Sequence, residues 1–250
     1  MYFMILIKKS FGVLRVSEDL SLLINGSRLV PAYRTLEDIV PVLYDVDSVR
    51  DLPRSTVIYS MYRGFSLEGH STVFKNKRVR FDITVMADIN LGKELNKTLG
   101  HYHPLAEDSL SYPELYQVLY GEATYLLQKK VGGDILDFAV AKVKEGEAIL
   151  IPPGYGHVTV NSGRSLLVMA NLVSDSFQSL YDDYIKNRGA AYYLLTDGSM
   201  VPNPCYKSHP APRVLSKKFP ISKDLYSDFT SCPSCFDFLN RPSLVASRFS

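Results

Sequence analysis

Short runs of β-branched and aromatic residues, separated by Gly, Pro, Asn and Asp, recur along this 250-residue chain and constrain its fold more than any other feature. Runs of this length and composition predict β-strands bounded by turns. They lie at residues 55–63, 79–88, 114–121, 122–129, 135–144, 147–153, 157–161 and 165–173. A chain of this size with 46% hydrophobic residues can bury a large all-β core.

Two segments predict helices, and the C-terminal part has a different composition. Residues 35–45 begin with Thr35 as a cap and contain Pro41, and residues 176–187 carry an apolar face. From about Asn203 the chain is rich in Pro, Ser and Lys with weak periodicity. This composition indicates an extension that lies on the core and does not fold alone.

The charge pattern disfavours nucleic-acid binding. The net charge of +2 comes from 28 basic and 26 acidic residues that are well mixed along the chain, so no extended basic surface is expected. The local basic run at residues 74–81 alternates with Val79 and Phe81, which predicts a solvated strand face.

Neither membrane insertion nor secretion is expected. The apolar run "MYFMILIKKS" is too short to span a bilayer and lacks the features of a signal peptide. Three cysteines, an odd number, disfavour a secreted disulfide framework. We therefore expect a cytoplasmic protein with no membrane partner.

His101 and His103 stand one residue apart and, in a strand, would project to the same side. Glu114 opens the next strand-like run, and His157 follows the Pro-Pro-Gly corner of "IPPGYGHVTVN", which would turn it back towards the first pair. Three imidazoles and a carboxylate suit a divalent transition metal with positions open for substrate. An H-x-H pair alone also arises by chance; the second stretch makes a metal centre the stronger hypothesis.

These two stretches resemble the paired motifs of the cupin superfamily. The positions that match are Gly92, His101, His103, Glu114 and Gly121 in the first motif and Gly146, Pro152, Gly154, His157 and Asn161 in the second. The resemblance implies a cupin double-stranded β-helix, a jelly-roll barrel, with a few peripheral helices. It implies metal ligation by His101, His103, Glu114 and His157. Ten residues separate His103 from Glu114, more than in the family, so Glu107 and Asp108 are alternative ligands. We favour Glu114 because "ELYQVLYG" keeps the strand pattern and the glycine spacing.

Within the superfamily, "TLGHYHP", "ELYQVLYGEATYLLQ" and "IPPGYGHVTVNSG" are similar to the archaeal cupin-type glucose-6-phosphate isomerases. The similarity extends upstream through "FGVLRVSEDL", "YRTLEDI" and "VIYSMYRG" and fades after about Asn203. It implies interconversion of glucose 6-phosphate and fructose 6-phosphate in glycolysis and gluconeogenesis. We expect three parts: an N-terminal strand and helix segment (residues 1–54), the barrel (residues 55–203) and a C-terminal extension (residues 204–250).

The same resemblance assigns the substrate phosphate to hydroxyl and backbone groups, which fall here on Tyr59, Thr84, Thr98 and Gly100. Such donors can hold a dianion without a large basic patch. The chain departs from the family at two approximately aligned positions, where Leu172 and Gln178 replace a Tyr and a His. Tyr181 or Tyr184 could compensate from the following helix.

Aldose-to-ketose conversion moves a proton between adjacent carbons, or shifts a hydride. A metal can polarise the two oxygens while a carboxylate carries the proton through a cis-enediol. Glu114 is the candidate base as well as a ligand, although metal binding would weaken it as a base. Tyr116, on the same strand face, either orients the sugar or is a core aromatic residue. The ligands suit Fe(II), Mn(II), Ni(II), Co(II) or Zn(II), and the resemblance favours Fe(II), with one ion per subunit.

The C-terminal extension contains a possible second metal site. Its spacings would allow a structural zinc site formed by Cys205, His209, Cys232 and Cys235; a disulfide and free thiols are the alternatives.

A homodimer is expected because such barrels commonly bury an exposed sheet face by pairing. The rivals are another cupin acting on sugar phosphates, a cupin dioxygenase and a non-catalytic sugar-binding cupin.

Overall fold

A computed structural model describes residues 3–246, with side-chain detail from Ile5 to Val245. The chain is predominantly β. Its strands are β1 (Phe3–Lys9), β2 (Gly12–Ser17), β3 (Leu22–Ile24), β4 (Ser27–Arg28), β5 (Ala32–Thr35), β6 (Val57–Tyr62), β7 (Val79–Met86), β8 (Asn90–Leu91), β9 (Glu94–Leu95), β10 (Leu105–Glu107), β11 (Leu110–Ser111), β12 (Glu114–Tyr120), β13 (Glu122–Val131), β14 (Asp134–Lys144), β15 (Ala148–Ile151), β16 (Tyr155–Asn161), β17 (Leu167–Ser174), β18 (Tyr192–Leu194), β19 (Met200–Pro202) and β20 (Arg213–Val214).

The helices are short and peripheral. They are α1 (Leu36–Ile39), α2 (Ser71–Lys77), α3 (Asp182–Lys186), α4 (Leu225–Ser231) and α5 (Ser243–Ala246), with 3-10 segments at Val40–Val42, Asp47–Val49 and Pro233–Leu239. In the range 3–246 no helix is long and apolar enough to cross a membrane.

Two sheets form the body of the molecule. The large sheet has the order β15-β12-β17-β7-β6-β5 and the small sheet the order β16-β13-β14-β20. Their facing side chains share one buried apolar cluster, to which Tyr116 and Met169 contribute from the large sheet and Tyr125 and Leu127 from the small one. This arrangement confirms the predicted all-β jelly roll, since every predicted run forms a strand within one or two residues of its expected bounds. Within the described residues the two sheets are separate hydrogen-bonded ladders.

The opposite face of the large sheet is covered by the two ends of the chain. The sheet β1-β2-β3-β4 and the segment from α4 onward join its side chains in a second buried cluster. At the centre of this cluster the ring centroids of Phe11, Phe81 and Tyr226 lie 5.2 to 5.3 Å apart. The outermost parts of the expected terminal segments, residues 1–2 and 247–250, lie outside the described residues.

The helical predictions are only partly confirmed. Helix α1 follows Thr35, whose N–H and hydroxyl both donate to the Asp38 carboxylate, but it continues only as a 3-10 turn through Pro41. In residues 176–187 only α3 is helical, because Leu180 pairs with Tyr102 in an antiparallel bridge before the helix begins. The extended backbone at Leu180 therefore pairs with the loop that carries His101 and His103.

The basic run at residues 74–81 was predicted as a strand face, and its first half is not one. Phe74 to Lys77 form the end of α2, whose C-cap Arg78 has a left-handed backbone with φ of 51°. The strand β7 begins only at Val79. The buried ring of Phe74, which stacks on Phe229 at 4.7 Å, explains why the helix is retained on the covered face of the sheet.

Candidate metal centre and active site

Backbone pairing between three segments brings the predicted ligands together. His101 and His157 form an antiparallel bridge, in which each N–H donates to the other residue's carbonyl at 3.2 and 3.0 Å. His157 lies on β16 of the small sheet, and Glu114 is the first residue of β12 in the large sheet. The spacing of the H-x-H pair predicts a regular strand, and this prediction was wrong: His101 lies in an isolated bridge, and His103 follows it outside any strand or bridge. The four side chains therefore meet where the two sheets open.

Their donor atoms converge on one point. The Nε2 atoms of His101 and His103 are 3.1 Å apart, and Glu114 Oε2 lies 3.3 Å from Nε2 of both His103 and His157. All four donor atoms lie within 4.8 Å of one another. Adjacent ligands about 2.1 Å from one ion, at right angles to each other, lie about 3 Å apart. The spacing matches a shared divalent metal, and in residues 3–246 this is the one cluster of His, Cys, Asp or Glu with such geometry.

Two buried polar atoms at the centre have no hydrogen-bond partner. These are Oε2 of Glu114, which faces the three imidazoles, and Nδ1 of His157. An unpartnered buried carboxylate oxygen is costly. A cation held between Glu114 and the imidazoles would compensate that oxygen, so the residues fit a bound divalent metal.

The outer hydrogen bonds orient two of the ligands. His103 Nδ1 donates to the Tyr112 carbonyl at 2.8 Å, which leaves the lone pair of its Nε2 directed at the centre. Asn171 Nδ2 donates to Glu114 Oε1 at 2.7 Å, which leaves Oε2 for the metal. Neither Tyr112 nor Asn171 was singled out from the sequence. Asn171 could have been found, because it shares its strand-face parity with Met169 in β17.

The protonation states suit metal binding. Burial lowers the pKa of His101 to about 3, and burial also lowers the pKa of His157, so both imidazoles are neutral at neutral pH. Burial opposes ionisation of Glu114, but its contacts with the three imidazoles dominate and hold the pKa of its carboxyl well below the usual range. The centre thus offers neutral imidazoles and a carboxylate, the forms that ligate a metal.

Tyr116 lies beside the centre on the inner face of β12. Its hydroxyl is 3.2 Å from Nε2 of His157. Burial is the main reason that the pKa of this phenol is raised well above 10, and the Glu114 carboxylate adds to the effect. The residue is therefore a neutral hydroxyl next to the ligands, although it also packs on Tyr125 in the core.

The insertion between His103 and Glu114 supports the centre. It folds into the β10–β11 hairpin, which ends at Tyr112, the partner of His103. Ser111 Oγ accepts a hydrogen bond from the N–H of Gly154 at 2.8 Å, which ties the hairpin to the corner that precedes His157. The alternative ligand Glu107 instead accepts from the N–H of Ser243 at 2.9 Å, away from the imidazoles. Neither Glu107 nor Asp108 joins the cluster.

The four residues predicted to hold the phosphate lie on two parts of the structure, the inner face of the large sheet and the segment that leads to His101. Tyr59 and Thr84 are on the inner face of the large sheet, and the Tyr59 hydroxyl lies 3.5 Å from the N–H of Leu99. Thr98 Oγ1 accepts from the N–H of Thr159 at 2.9 Å. Gly100 has a φ of +85°, and a Cβ there would lie 2.5 Å from the Tyr184 ring, so glycine is required by packing.

The two departures from the family have different consequences. Leu172 is fully buried on the covered face of the large sheet, so it faces away from the metal centre. Gln178 and Tyr181 line a cavity of about 530 Å³ beside the centre. Tyr181 contacts His101 with ring centroids 5.5 Å apart, whereas Tyr184 is fully buried against Tyr102. Of the two tyrosines considered as replacements, Tyr181 is the one positioned at the cavity.

Three arginines in this cavity were missed by the sequence reasoning. Arg34, Arg63 and Arg80 line it, each from a different strand segment of the large sheet. A signal was available: Arg63 has the strand parity of Tyr59, and Arg80 has that of Thr84. The prediction of a solvated strand face at residues 74–81 was wrong for Arg80, which lines the cavity and is only partly exposed.

The predicted structural zinc site is not formed. Cys232 and Cys235 form a disulfide, the alternative considered from the sequence. Cys205 is an exposed free thiol, and His209 Nε2 contacts the carbonyl of Asn203 at 2.7 Å. The four residues therefore do not converge on one ion. The short C-x2-C spacing permits direct pairing, which removes both thiolates as ligands.

Comparisons with known proteins identify relatives of this chain. A family model described as glucose-6-phosphate isomerase matches residues 33–213. A relative named glucose-6-phosphate isomerase from Thermococcus gammatolerans is 26% identical over 195 residues, which is 78% of this chain and 93% of that protein. A second, with the same name, from Pyrococcus furiosus is 28% identical over 158 residues, 62% of this chain and 74% of that protein.

The solved structures that resemble this chain have lower sequence identity and low TM-scores. A cupin 2 conserved barrel domain protein from Rhodopseudomonas palustris has a TM-score of 0.32 and 13% identity, covering 48% of this chain and 63% of that chain. The oxalate decarboxylase of Lactobacillus farciminis has a TM-score of 0.36 and 16% identity, covering 49% of this chain and 30% of that chain.

Proposed function

We infer the function of this chain from its family and its metal centre: the chain belongs to the glucose-6-phosphate isomerase family, whose model spans residues 33–213. It is an aldose–ketose isomerase that interconverts glucose 6-phosphate and fructose 6-phosphate, a reaction of glycolysis and gluconeogenesis. The main structural support for this function is the convergence of three imidazoles and one carboxylate beside a polar cavity.

His101, His103, Glu114 and His157 would hold one divalent metal ion. Bound there, the ion would act as a Lewis acid on the carbonyl and hydroxyl oxygens of neighbouring substrate carbons. Support for ligation comes from the unpartnered Glu114 Oε2 and from the fixed tautomer of His103. We propose Fe(II) as the native ion, with Mn(II), Ni(II), Co(II) or Zn(II) able to exchange, because imidazole and carboxylate donors accept all of them.

Glu114 has two oxygens with separate surroundings, which allows it two roles. Oε2 faces the imidazoles, while Oε1 accepts from Asn171. We propose that Oε1 takes and returns the proton that moves between the two substrate carbons, with the Asn171 amide stabilising its charged form. Metal binding through Oε2 would lower the basicity of the carboxylate. Its contacts with the imidazoles also lower the pKa of Glu114, so both effects weaken it as a base. The base is therefore weak but pre-oriented.

Tyr116 is proposed to orient the sugar. Its neutral hydroxyl stands 3.2 Å from His157 Nε2, and metal binding at that nitrogen would release the hydroxyl to a substrate oxygen. Phe177 and Tyr181 pack beside His103 and His101, where they limit access of water to the reacting carbons.

One assay tests the function. We expect the metal-loaded protein to convert fructose 6-phosphate to glucose 6-phosphate, and we expect a chelator to abolish the conversion until Fe(II) is returned. A matched pair of variants, His157→Ala at the centre and His70→Ala away from it, should respectively lose and keep bound metal. Absence of turnover in the loaded protein would refute the function, and oxygen consumption would point to a dioxygenase. Full activity after verified metal removal would refute the metal role. Substrate binding without turnover would leave a non-catalytic sugar-binding cupin.

A homodimer in the cytoplasm is proposed alongside. Exposed apolar side chains, Val131, Leu136 and Val214, lie on the β13–β14–β20 part of the small sheet. Apolar surface on a sheet edge is commonly buried by pairing. Light scattering should give twice the monomer mass, and Leu136→Lys should shift it to the monomer; a wild-type monomer would contradict the dimer.

A further inference from the structure

We propose that residues 237–243 of the C-terminal extension position the two segments that cover the metal centre. These segments are the β10–β11 hairpin and the stretch at the end of β17, residues 174–181. Asn240 and Glu107 are the positioning residues. The proposal rests on the proposed metal-dependent function and gives a role to the chain beyond residue 213, where the family match ends.

The two covering segments meet over His103. Phe177, from residues 174–181, packs on the His103 ring with centroids 4.6 Å apart. The same Phe177 ring stacks on Tyr112, which follows the hairpin, also with centroids 4.6 Å apart. The Tyr112 carbonyl lies 2.8 Å from His103 Nδ1. A movement of either segment would therefore change how firmly His103 is held at the centre.

The extension holds the first segment through Asn240. Ser174, which is fully buried at the end of β17, donates from Oγ to Asn240 Oδ1 at 2.6 Å. The same Oγ accepts a hydrogen bond at 3.2 Å from the N–H of Ser176, the residue before Phe177. The Asn240 amide donates to the Lys77 carbonyl at 2.9 Å, which ties it to α2. One side chain thus fixes the start of the segment that carries Phe177.

The extension holds the hairpin through Glu107. Its Oε2 accepts a hydrogen bond from the N–H of Ser243 at 2.9 Å, and Arg241 Nε lies 3.9 Å from Oε1. Glu107 pairs with Leu110 across the hairpin, so the contact acts on the element that leads to Tyr112. A single short stretch of the extension therefore contacts both covering segments.

This stretch is itself anchored in the core. Leu239, beside Asn240, and Val245, after Ser243, are both buried in the apolar cluster on the covered face of the large sheet. Closely packed side chains leave little room for displacement. The polar contacts of the stretch can therefore restrain the more exposed hairpin and the residues after β17.

The restrained segment also forms one wall of the cavity beside the centre. Asp175, Phe177, Gln178 and Tyr181 line that wall. Loosening of residues 174–181 would therefore disturb the site without removing any group that touches the metal ion.

Hydrogen–deuterium exchange of the metal-free protein tests the restraint directly. Asn240→Ala and Glu107→Ala each remove an acceptor on which the restraint depends. We expect exchange to rise about fivefold in residues 174–181 of Asn240→Ala and in residues 105–112 of Glu107→Ala, as the loss of one net hydrogen bond predicts. Glu107→Gln, which keeps an acceptor oxygen, should show a smaller rise. Glu107 is partly exposed, so its variants should fold even if Asn240→Ala does not.

Phe229→Leu is the matched control. Phe229 stacks on Phe74 at 4.7 Å in the same extension, so the change weakens core packing and leaves the Asn240 and Glu107 contacts in place. Exchange in both covering segments should stay within about twofold of wild type. Metal release should follow the same pattern: we expect Co(II) to dissociate about three- to tenfold faster from Asn240→Ala and Glu107→Ala than from wild type or Phe229→Leu.

Unchanged exchange in Asn240→Ala and Glu107→Ala would overturn the proposal. An equal rise in Phe229→Leu would also overturn it, because general loosening of the extension would then explain the effect. Faster exchange with an unchanged rate of Co(II) release would show that the restraint does not reach His103. The exchange measurement needs neither bound metal nor turnover, so failure to bind Co(II) or to convert fructose 6-phosphate would count against the proposed function alone.

Discussion

At the scale of single residues, the centre depends on groups that do not ligate. His103 is held in one tautomer by the Tyr112 carbonyl, and one oxygen of Glu114 is held by Asn171. Both partners fix the direction of a donor atom before any metal binds. Such outer contacts commonly change metal affinity by about 10- to 100-fold when they are removed.

Asn171→Leu tests this at one position. The change keeps the side-chain size but removes the donor to Glu114 Oε1, so the carboxylate can rotate and its buried oxygen loses its partner. We expect metal affinity to fall about 10- to 100-fold, as measured by competition with a chromophoric chelator. The exposed Asn90 on β8 provides the control: Asn90→Leu should leave affinity unchanged. Equal affinities in wild type and Asn171→Leu would contradict a positioning role.

At the scale of elements, loops and small hairpins connect the site to the sheets. The β10–β11 hairpin is bound to the Pro-Pro-Gly corner through Ser111 and Gly154. A second connection is the buried ion pair between Glu94, in β9, and Lys97, which also donates to the Val42 carbonyl at 2.7 Å. These contacts hold the segments on both sides of the H-x-H pair in place.

Ser111→Ala removes the hydrogen bond from the Gly154 N–H. We expect a loss of about 1 kcal/mol in the free energy of unfolding, because that N–H is left without its acceptor. Urea denaturation measures the loss. Ser109→Ala on the exposed turn of the same hairpin should change stability by less than about 0.5 kcal/mol. Equal losses of stability in Ser111→Ala and Ser109→Ala would show that the hydrogen bond from Gly154 to Ser111 does not stabilise the Pro-Pro-Gly corner.

Lys97→Met tests the buried ion pair. Both partners are at most 5% exposed, so the change would leave the Glu94 carboxylate buried without its cation. We expect destabilisation of about 3 to 5 kcal/mol, measured by urea denaturation. The double variant Glu94→Gln, Lys97→Met should recover part of this loss because it no longer buries an unpaired charge. A double variant that is as unstable as Lys97→Met alone would show that packing, and not charge, dominates.

At the scale of the whole molecule, the metal centre lies where the two sheets meet. Glu114 comes from the large sheet and His157 from the small one, while His101 and His103 lie on the loop that bridges to β16. A bound ion would therefore link the two sheets near their open end. Any ligand that binds only the folded state stabilises it by mass action.

Metal removal should for this reason lower the stability of the entire molecule. At a free metal concentration 1,000-fold above the dissociation constant, the loaded protein should be more stable by about 4 kcal/mol. Calorimetric scans with and without a chelator measure this difference. His157→Ala should lose most of the metal-dependent increment, whereas His70→Ala, on the covered face near Tyr226, should retain it. A chelator-independent melting temperature in the wild type would contradict the linkage.

The strand pattern and the two histidine motifs could be predicted from the sequence, because strand formation and ligand type depend on local residue chemistry. The eight strand runs and the all-β fold required no knowledge of distant contacts, and the resemblance to the cupin motifs selected the four residues whose donor atoms converge in the structure. Helix extent was overestimated, since Pro41 and the pairing of Leu180 with Tyr102 limit the helices. Only the tertiary structure could decide which side chains meet across the chain.

Three outcomes illustrate that limit. The tail cysteines pair with each other, and no local rule excluded the zinc alternative. Leu172 faces the covered side of the sheet, so its departure from the family does not affect the site. Arg34, Arg63 and Arg80 are far apart in the chain and become one cavity lining only because β5, β6 and β7 are neighbours. Sequence determines the chemistry of each residue, but the order of strands in the sheet decides which residues share a site.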